Sequence, residues 1–434
     1  MTGLSLSLLG PGLPTPRLAD GVDLLGEFQG GGSIEPRFLI RRSDGAMLIF
    51  STIVYRLAEE LDGRADAAEL AERISLRTGG SIDVAGVCYL LKHKLEPLGV
   101  VAGGGQQAGS GHSVLKLAGR TAFFTARAVR PAASLLRHLF HTPVVVCLLT
   151  AAVAVHLWLL HGGSSLAPSR DLLERPENLL VIVLVAFLGA LFHEFGHAAA
   201  SLYGGATPGV IGLGLYLVWP AFYTDITESY RLDRPGRIRT DLGGVYFNLL
   251  VTLPLAGMYG LTANKVWLWA ILIQHLVILQ QFMPFLRLDG YYLFSDLTGV
   301  PDLFGHIGPV FRSLLPGRTA ADKVAKLRRG VRAAVVLWVV STVCVLACLA
   351  GWLLLSLPRI VKGAGNLVTA LWISAVHHAA LGRGLASLAN VIQATLVSIQ
   401  LLGLAIMLVA ALRLAYRSGC KAVERLGGNK LRAG

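Results

Sequence analysis

Charge is scarce in this sequence. Asp, Glu, Lys and Arg make up 15% of its 434 residues, against 54% hydrophobic content and a mean hydropathy of +0.60, a balance that excludes an ordinary soluble globular protein. Acid is the scarcer sign: 26 Asp and Glu stand against 39 Lys and Arg, a net charge of +13. In a soluble chain that excess would invite nucleic acid, but here many of the cations flank apolar runs, where membrane topology explains them. The five cysteines (Cys88, Cys147, Cys344, Cys348 and Cys420) are scattered, which excludes a disulfide framework and a cysteine metal site. Leu4 to Leu9 is apolar but has neither a positive n-region nor a small-residue cleavage pattern. It is not read as a signal peptide, and the N-terminal part is expected to stay in the cytoplasm.

The apolar residues are gathered into runs. Spans are expected over residues 143–160, 178–197, 242–261, 266–283, 331–357 and 389–412, with 366–376 too short to span and read as re-entrant or interfacial. The basic segments 127–137, 231–239, 312–332 and 413–432 then fall on one side, the cytoplasmic one. The expected fold is mainly α: a polytopic α-helical membrane protein of about six spans with an N-terminal winged-helix-like α+β cytoplasmic domain. The chain divides into that domain (17–101), a linker and basic amphipathic segment (102–140), a membrane domain (141–417) and a basic tail (418–434).

The second span ends in Leu191-Phe192-His193-Glu194-Phe195-Gly196-His197. On a helix His193 and His197 are four residues apart, so both imidazoles leave one face and can share one metal ion. Zinc held by three protein ligands keeps an open position for water, whose proton a nearby carboxylate must take, and Glu194 is placed for that. An acidic group in a membrane helix costs on the order of 3 kcal/mol or more, which marks it as functional.

In the N-terminal part, Phe38 to Arg42 and Met47 to Phe50 flank Ser43-Asp44-Gly45, a β-hairpin with a D-G turn. Three helices are expected after it: one from Ser51 or Thr52 to Gly63, one from Asp66 to Gly79-Gly80, and one from Asp83 to Pro97-Leu98-Gly99. In order and spacing the unit resembles the peptide-recognition domain of ribosomal-peptide biosynthesis, the one similar to the pyrroloquinoline quinone protein D. That resemblance implies a leader peptide added as a strand beside the hairpin and lying against the third helix. A DNA-binding winged helix is the alternative, although Lys92, His93 and Lys94 are few cations for a phosphate-tracking surface, and nucleic acid is not expected as a partner.

A third zinc ligand is needed, and the strongest downstream candidate is Asp289 in Leu288-Asp289-Gly290, directly after the fourth span. H-E-x-x-H at the end of one span with L-D-G at the end of a later one resembles the site-2 protease family of intramembrane zinc metalloproteases. The resemblance implies His193, His197 and Asp289 as Zn2+ ligands and Glu194 as general base. Gly243-Gly244-Val245-Tyr246-Phe247-Asn248 falls at the spacing of that family's A-G-P-x-x-N segment, which carries over Asn248 as a substrate-binding residue. A polar amide in an apolar span can bond an unpaired peptide backbone, or simply tie two helices together. Gln281, Leu286 and Val245 depart from the family's residues, which bears on substrate positioning and leaves the metal ligands untouched. Trp219 to Asp225 and Arg287 to Tyr292 look like the peptide zinc metalloprotease subgroup, which occurs with ribosomally made peptides and includes the protease of daptide clusters.

The Gly-rich stretch from Gly204 to Val218 is read as a re-entrant hairpin lining the site, an edge on which an extended substrate can dock. Asp225 is read as a turn residue in preference to a carboxylate supporting the ligands, His275 in the fourth span as a hydrogen-bonded core histidine in preference to a metal ligand, and His377 and His378 as uninvolved. The function expected is zinc-dependent intramembrane cleavage of a peptide or membrane-associated precursor, in maturation of a ribosomally synthesised peptide. Regulated proteolysis of a membrane-anchored signalling protein is one alternative, and a non-proteolytic peptide export or immunity protein is another. Membrane lipid is the expected surroundings, and homo-oligomerisation through the last two spans stays open.

Overall fold

Phe38, Ile40 and Phe50 turn inward from two strands whose Asp44-Gly45 corner needs the positive φ of 83° that Gly45 adopts. A computed structural model describes residues 15–103, 118–161, 176–216, 219–314 and 322–430. Leu4 to Leu9, most of the Ala102–Ser110 linker, the loop near Gly162 and the end of the tail lie outside the described residues.

Strands β2 (Arg37–Arg41) and β3 (Met47–Ser51) pair antiparallel with Phe38 opposite Phe50, the hairpin the alternation implies. Arg42, hydrogen-bonded to Asp44 in the turn, holds that carboxyl down at about 2. A strand not foreseen, β1 (Asp23–Glu27), covers the other edge of β2 through a bulge at Gly26. Helices α1 (Thr52–Glu59), α2 (Ala67–Thr78) and α3 (Val84–Leu90) follow in the expected order. Asp66 and Asp83 cap the last two by accepting from backbone N–H groups one turn in. Ile40, Leu57, Leu70, Ile74, Val87 and Leu95 close this unit's own core.

The basic segment before the first span is not one amphipathic stretch. Ala118–Phe124 is strand β4, and the helical part starts at Ala126 (α4, Ala126–Leu136) and continues as a 3-10 turn over Arg137–Phe140. Helix α4 buries Val129 and Ala133 against Ala198 and Ile211 rather than lying free on a surface. The long helices are α5 (Thr142–His161), α6 (Glu177–Tyr203), α7 (Arg234–Thr262), α8 (Val266–Gln281), α11 (Arg329–Ala380) and α12 (Gly384–Lys430), with the short α9 (Asp289–Thr298) and α10 (Ile307–Leu314) between α8 and α11. Among the described residues five helices are long and apolar enough to cross a membrane, α8 being shorter at 16 residues. The architecture is that of a helical membrane protein.

Residues 366–376 do not turn back on themselves. They continue α11, a single helix of 52 residues and about 78 Å at 1.5 Å per residue. Between α6 and α7, β5 (Ile211–Tyr216) and β6 (Trp219–Thr224) form the expected hairpin, and β4 adds to the outer edge of β5. The other edge of β6 carries no strand among the described residues.

The N-terminal unit rests on the bundle through the β1–β2 connection. Gly32 N donates to Gly299 O at 2.9 Å, Ile34 N to Lys326 O at 2.9 Å, and Arg328 N to Gly32 O at 3.2 Å. Arg237, 1% exposed, sends Nη2 to Gln29 O and stacks 4.4 Å over the Phe28 ring, while Arg41 pairs with Glu228 at 2.8 Å.

Candidate metal centre

Helices α6 and α7 approach so closely that no side chain fits at their crossing. A Cβ on Gly243 would meet the Gly196 carbonyl oxygen at 2.6 Å. This contact brings the His193 and His197 face of α6 under α7. The two Nε2 atoms lie 3.1 Å apart, and Asp289, the first residue of α9, places Oδ2 at 3.2 Å from His193 Nε2 and Oδ1 at 3.4 Å from His197 Nε2. Ligands about 2.0–2.1 Å from a tetrahedral zinc ion are about 3.3 Å from one another, so the three donors stand where such an ion would hold them. Among the described residues these three form the group able to hold a metal, with all donor atoms within 4.8 Å.

Space and protonation fit as well. A Cβ on Gly244 would stand 2.5 Å from His193 Nε2 and 2.6 Å from His197 Nε2, so Gly244 keeps open the volume that an ion needs. His197 Nδ1 donates to Thr240 O at 2.8 Å, which leaves Nε2 with its lone pair toward Asp289. Asn248 Nδ2 donates to His193 Nδ1 at 3.0 Å, while its own Oδ1 is buried without a partner. Rotating that amide by half a turn gives Oδ1 the Nδ1 proton and frees His193 Nε2 for a metal, satisfying both groups. The structure thus sets Asn248, fully buried, on a metal-ligand candidate.

Glu194 lies beside the pair, 8% exposed, and Thr224 Oγ1 at the end of β6 donates to its Oε2 at 2.7 Å. Thr224 lies in the Trp219 to Asp225 stretch, where its hydroxyl carries no motif of its own. Asp225 is a turn residue as expected, accepting from Thr227 N and Oγ1. His275 stands apart from the metal group: its Nε2 meets His156 Nε2 at 2.8 Å and its Nδ1 donates to Ile271 O. His377 and His378 end α11.

The site opens into a cavity of about 2020 Å³. Its wall includes His193, Glu194 and Asp289, then Thr224 on β6, and finally Asp44 and Gly45 of the N-terminal hairpin. No family model matches the chain, and no solved structure does. One curated protein is similar: "Putative peptide zinc metalloprotease protein YydH" of Bacillus subtilis (strain 168), 29% identical over 115 residues. The match takes in 26% of this chain and 45% of that protein, less than half its length.

Several polar groups at the cavity escaped the sequence reading. Asp241 and Arg237 lie on α7, and Asp296 on α9 takes a 2.8 Å bond from Arg237 Nε. Tyr230 is half-buried. Burial, with Tyr292, Asp296 and Asp241 around it, pushes its hydroxyl well above the ordinary range, so it stays protonated. Asp241 carried the same signal as the H-E-x-x-H motif, an acidic group beside an apolar run.

Proposed function

We propose that the protein is a zinc-dependent endopeptidase that cleaves a peptide or membrane-associated precursor within or at the edge of the membrane. His193, His197 and Asp289 hold the ion, and Glu194 is the general base. The observation that carries this reading is one metal-sized triangle of donors with a carboxylate beside it, opening into a cavity that reaches the N-terminal hairpin. The similarity to a protein named a peptide zinc metalloprotease supports it.

Zinc held there supplies a Lewis acid for the scissile carbonyl and lowers the pKa of water at its open position. The chain does the rest. Thr224 fixes Glu194 Oε2, leaving Oε1 to take a proton from the attacking water and pass it to the leaving amine. Asn248 and Thr240 hold the two imidazoles in the ligating orientation. The open edge of β6 offers backbone groups to an extended substrate, so a helical one unwinds before its carbonyl is reached. Residues 17–101 hold the leader of a ribosomally made precursor on the same end of the bundle. On this reading the chemistry lies near the cytoplasmic face with both termini on that side, and recognition sits beside the cut.

Incubating the full chain in lipid with precursor peptides encoded beside it, and following products by mass, tests the reading. Cleavage that disappears with a chelator, returns with zinc and is lost in Glu194→Gln is expected. Unchanged processing by Glu194→Gln would sink the mechanism.

A further inference from the structure

Three helix ends meet at one level of the bundle: α6 ends at Tyr203, α5 begins at Thr142, and Arg239 lies in the second turn of α7. The Tyr203 ring is their common contact. The Arg239 guanidinium stacks over it at 4.8 Å, and the His141 ring meets it edge to face at 5.4 Å. His138 Nδ1 lies 3.2 Å from His141 Nε2, and both of these histidines are exposed. On either side of Arg239, Arg231 and Arg237 pair with Glu228 and Asp296. Arg239 pairs with no acid among the described residues, and its Nε is buried without a hydrogen-bond partner. A guanidinium N–H held out of water and unbonded is costly, so an acceptor brought to it gains more than one at an open surface.

The neighbouring sequence supplies no such acceptor. Residues 97–170 contain no Asp or Glu, and Arg127, Arg130 and Arg137 are exposed along α4 and the turn after it. That turn runs straight into the apolar α5, which sets His138, His141 and Arg239 at the depth of bilayer headgroups. Leu135, 75% exposed on α4, adds apolar surface at the same depth.

We propose that Arg239, His138 and His141, gathered on Tyr203, hold the phosphate of an anionic lipid headgroup, with Arg137 at its rim. The phosphodiester accepts from the guanidinium and the imidazole N–H groups, and the acyl chains lie along the exposed apolar face of α5. Arg239 precedes Thr240, whose carbonyl takes the His197 Nδ1 proton, so the lipid and the metal centre bear on adjoining residues of α7. The proposal concerns retained lipid and is independent of the endopeptidase reading.

The full chain is reconstituted in an equal mixture of phosphatidylglycerol and phosphatidylcholine, extracted in detergent, and the lipid retained per chain is measured by mass. Phosphatidylglycerol should be enriched, and Arg239→Gln should cut that enrichment about fivefold, as for loss of one cation at an anionic surface. The double variant His138→Ala/His141→Ala, changed only at exposed rings, should cut it too and covers the case in which Arg239→Gln does not fold. Lys265→Gln, beyond the opposite end of α7, should keep it. A loss there equal to that in Arg239→Gln would reflect net charge alone and overturn the proposal. Equal retention of the two lipids, or an enrichment that survives either site variant, also overturns it. Thermal unfolding in detergent separates the sources of phosphate: added phosphatidylglycerol should raise the Tm of wild type and not of Arg239→Gln. An equal rise with inorganic phosphate would make this a free-anion site and sink the lipid. A lower Tm in Arg239→Gln with lipid enrichment unchanged would reduce Arg239 to a cap on the α6 carbonyls and sink it as well.

Discussion

Thr224 Oγ1 lies 2.7 Å from Glu194 Oε2 and 3.0 Å from the Glu194 carbonyl oxygen, so the last residue of a β-strand steadies the carboxylate on a helix. Thr224→Val removes that donor and keeps the shape. Turnover of a cleaved peptide should fall about tenfold with metal content unchanged, as for loss of one orienting hydrogen bond near a general base. Thr224→Ser should restore most of it. Equal kcat for Val and wild type would remove Thr224 from the mechanism.

Gly244 faces the Nε2 atoms of His193 and His197. Gly244→Ala should leave the chain folded in the membrane but unable to retain zinc, read by elemental analysis after dialysis. Gly257→Ala, on the same helix with nothing within 4 Å, is the control and should bind normally.

Asn248 reports on how His193 is held. Asn248→Leu should weaken zinc affinity by about 10–100-fold in competition with a chromophoric chelator. Asn248→Asp keeps an acceptor for the Nδ1 proton and should lie close to wild type. If Leu and Asp behave alike, the bond to His193 is not what Asn248 contributes.

Arg237 joins three parts of the molecule at once: Asp296, Leu232 O and Gln29 O. Arg237→Ala leaves Asp296 buried beside Asp241 without its cation, and such a loss costs about 3–5 kcal/mol. Limited proteolysis should release the N-terminal unit from the variant faster than from wild type. Arg237→Lys should not rescue it, because one ammonium cannot reproduce the planar fork.

Asp44 supplies a pH prediction. Its carboxyl is held at about 2 when folded, below the ordinary 3.8, so its stabilising contribution is complete above 3.8 and is lost as pH falls through about 2. The Tm difference between wild type and Asp44→Asn should therefore be constant at any pH above 3.8 and close as the medium approaches 2.

What could be read in the sequence was what one helix or one turn decides. His193 and His197 share a face because the helical period puts them there, and Asp44-Gly45 turns because only glycine takes that φ cheaply. Asp289 needed a second motif, since nothing local says which distant carboxylate closes the triangle. Strand β4 was hidden because Arg120 stands seven residues before Arg127, a helical spacing, although the two lie in different elements, β4 and α4. The bond from Thr224 to Glu194 and the neighbourhood of Asp241 and Asp296 depend on how β6, α7 and α9 pack, which no single segment encodes. The continuous α11 was concealed by Pro358 and by Gly363 and Gly365, which interrupt the apolar run without interrupting the helix.

Helix α9 begins at Asp289, and the residue that caps its end is Gly299, whose carbonyl receives Gly32 of the N-terminal unit. Ten residues make a stiff rod about 15 Å long, with a metal-ligand candidate at one end and the N-terminal unit resting on the other. The seat of the N-terminal unit and the place of the Asp289 carboxylate are therefore set by one rigid element.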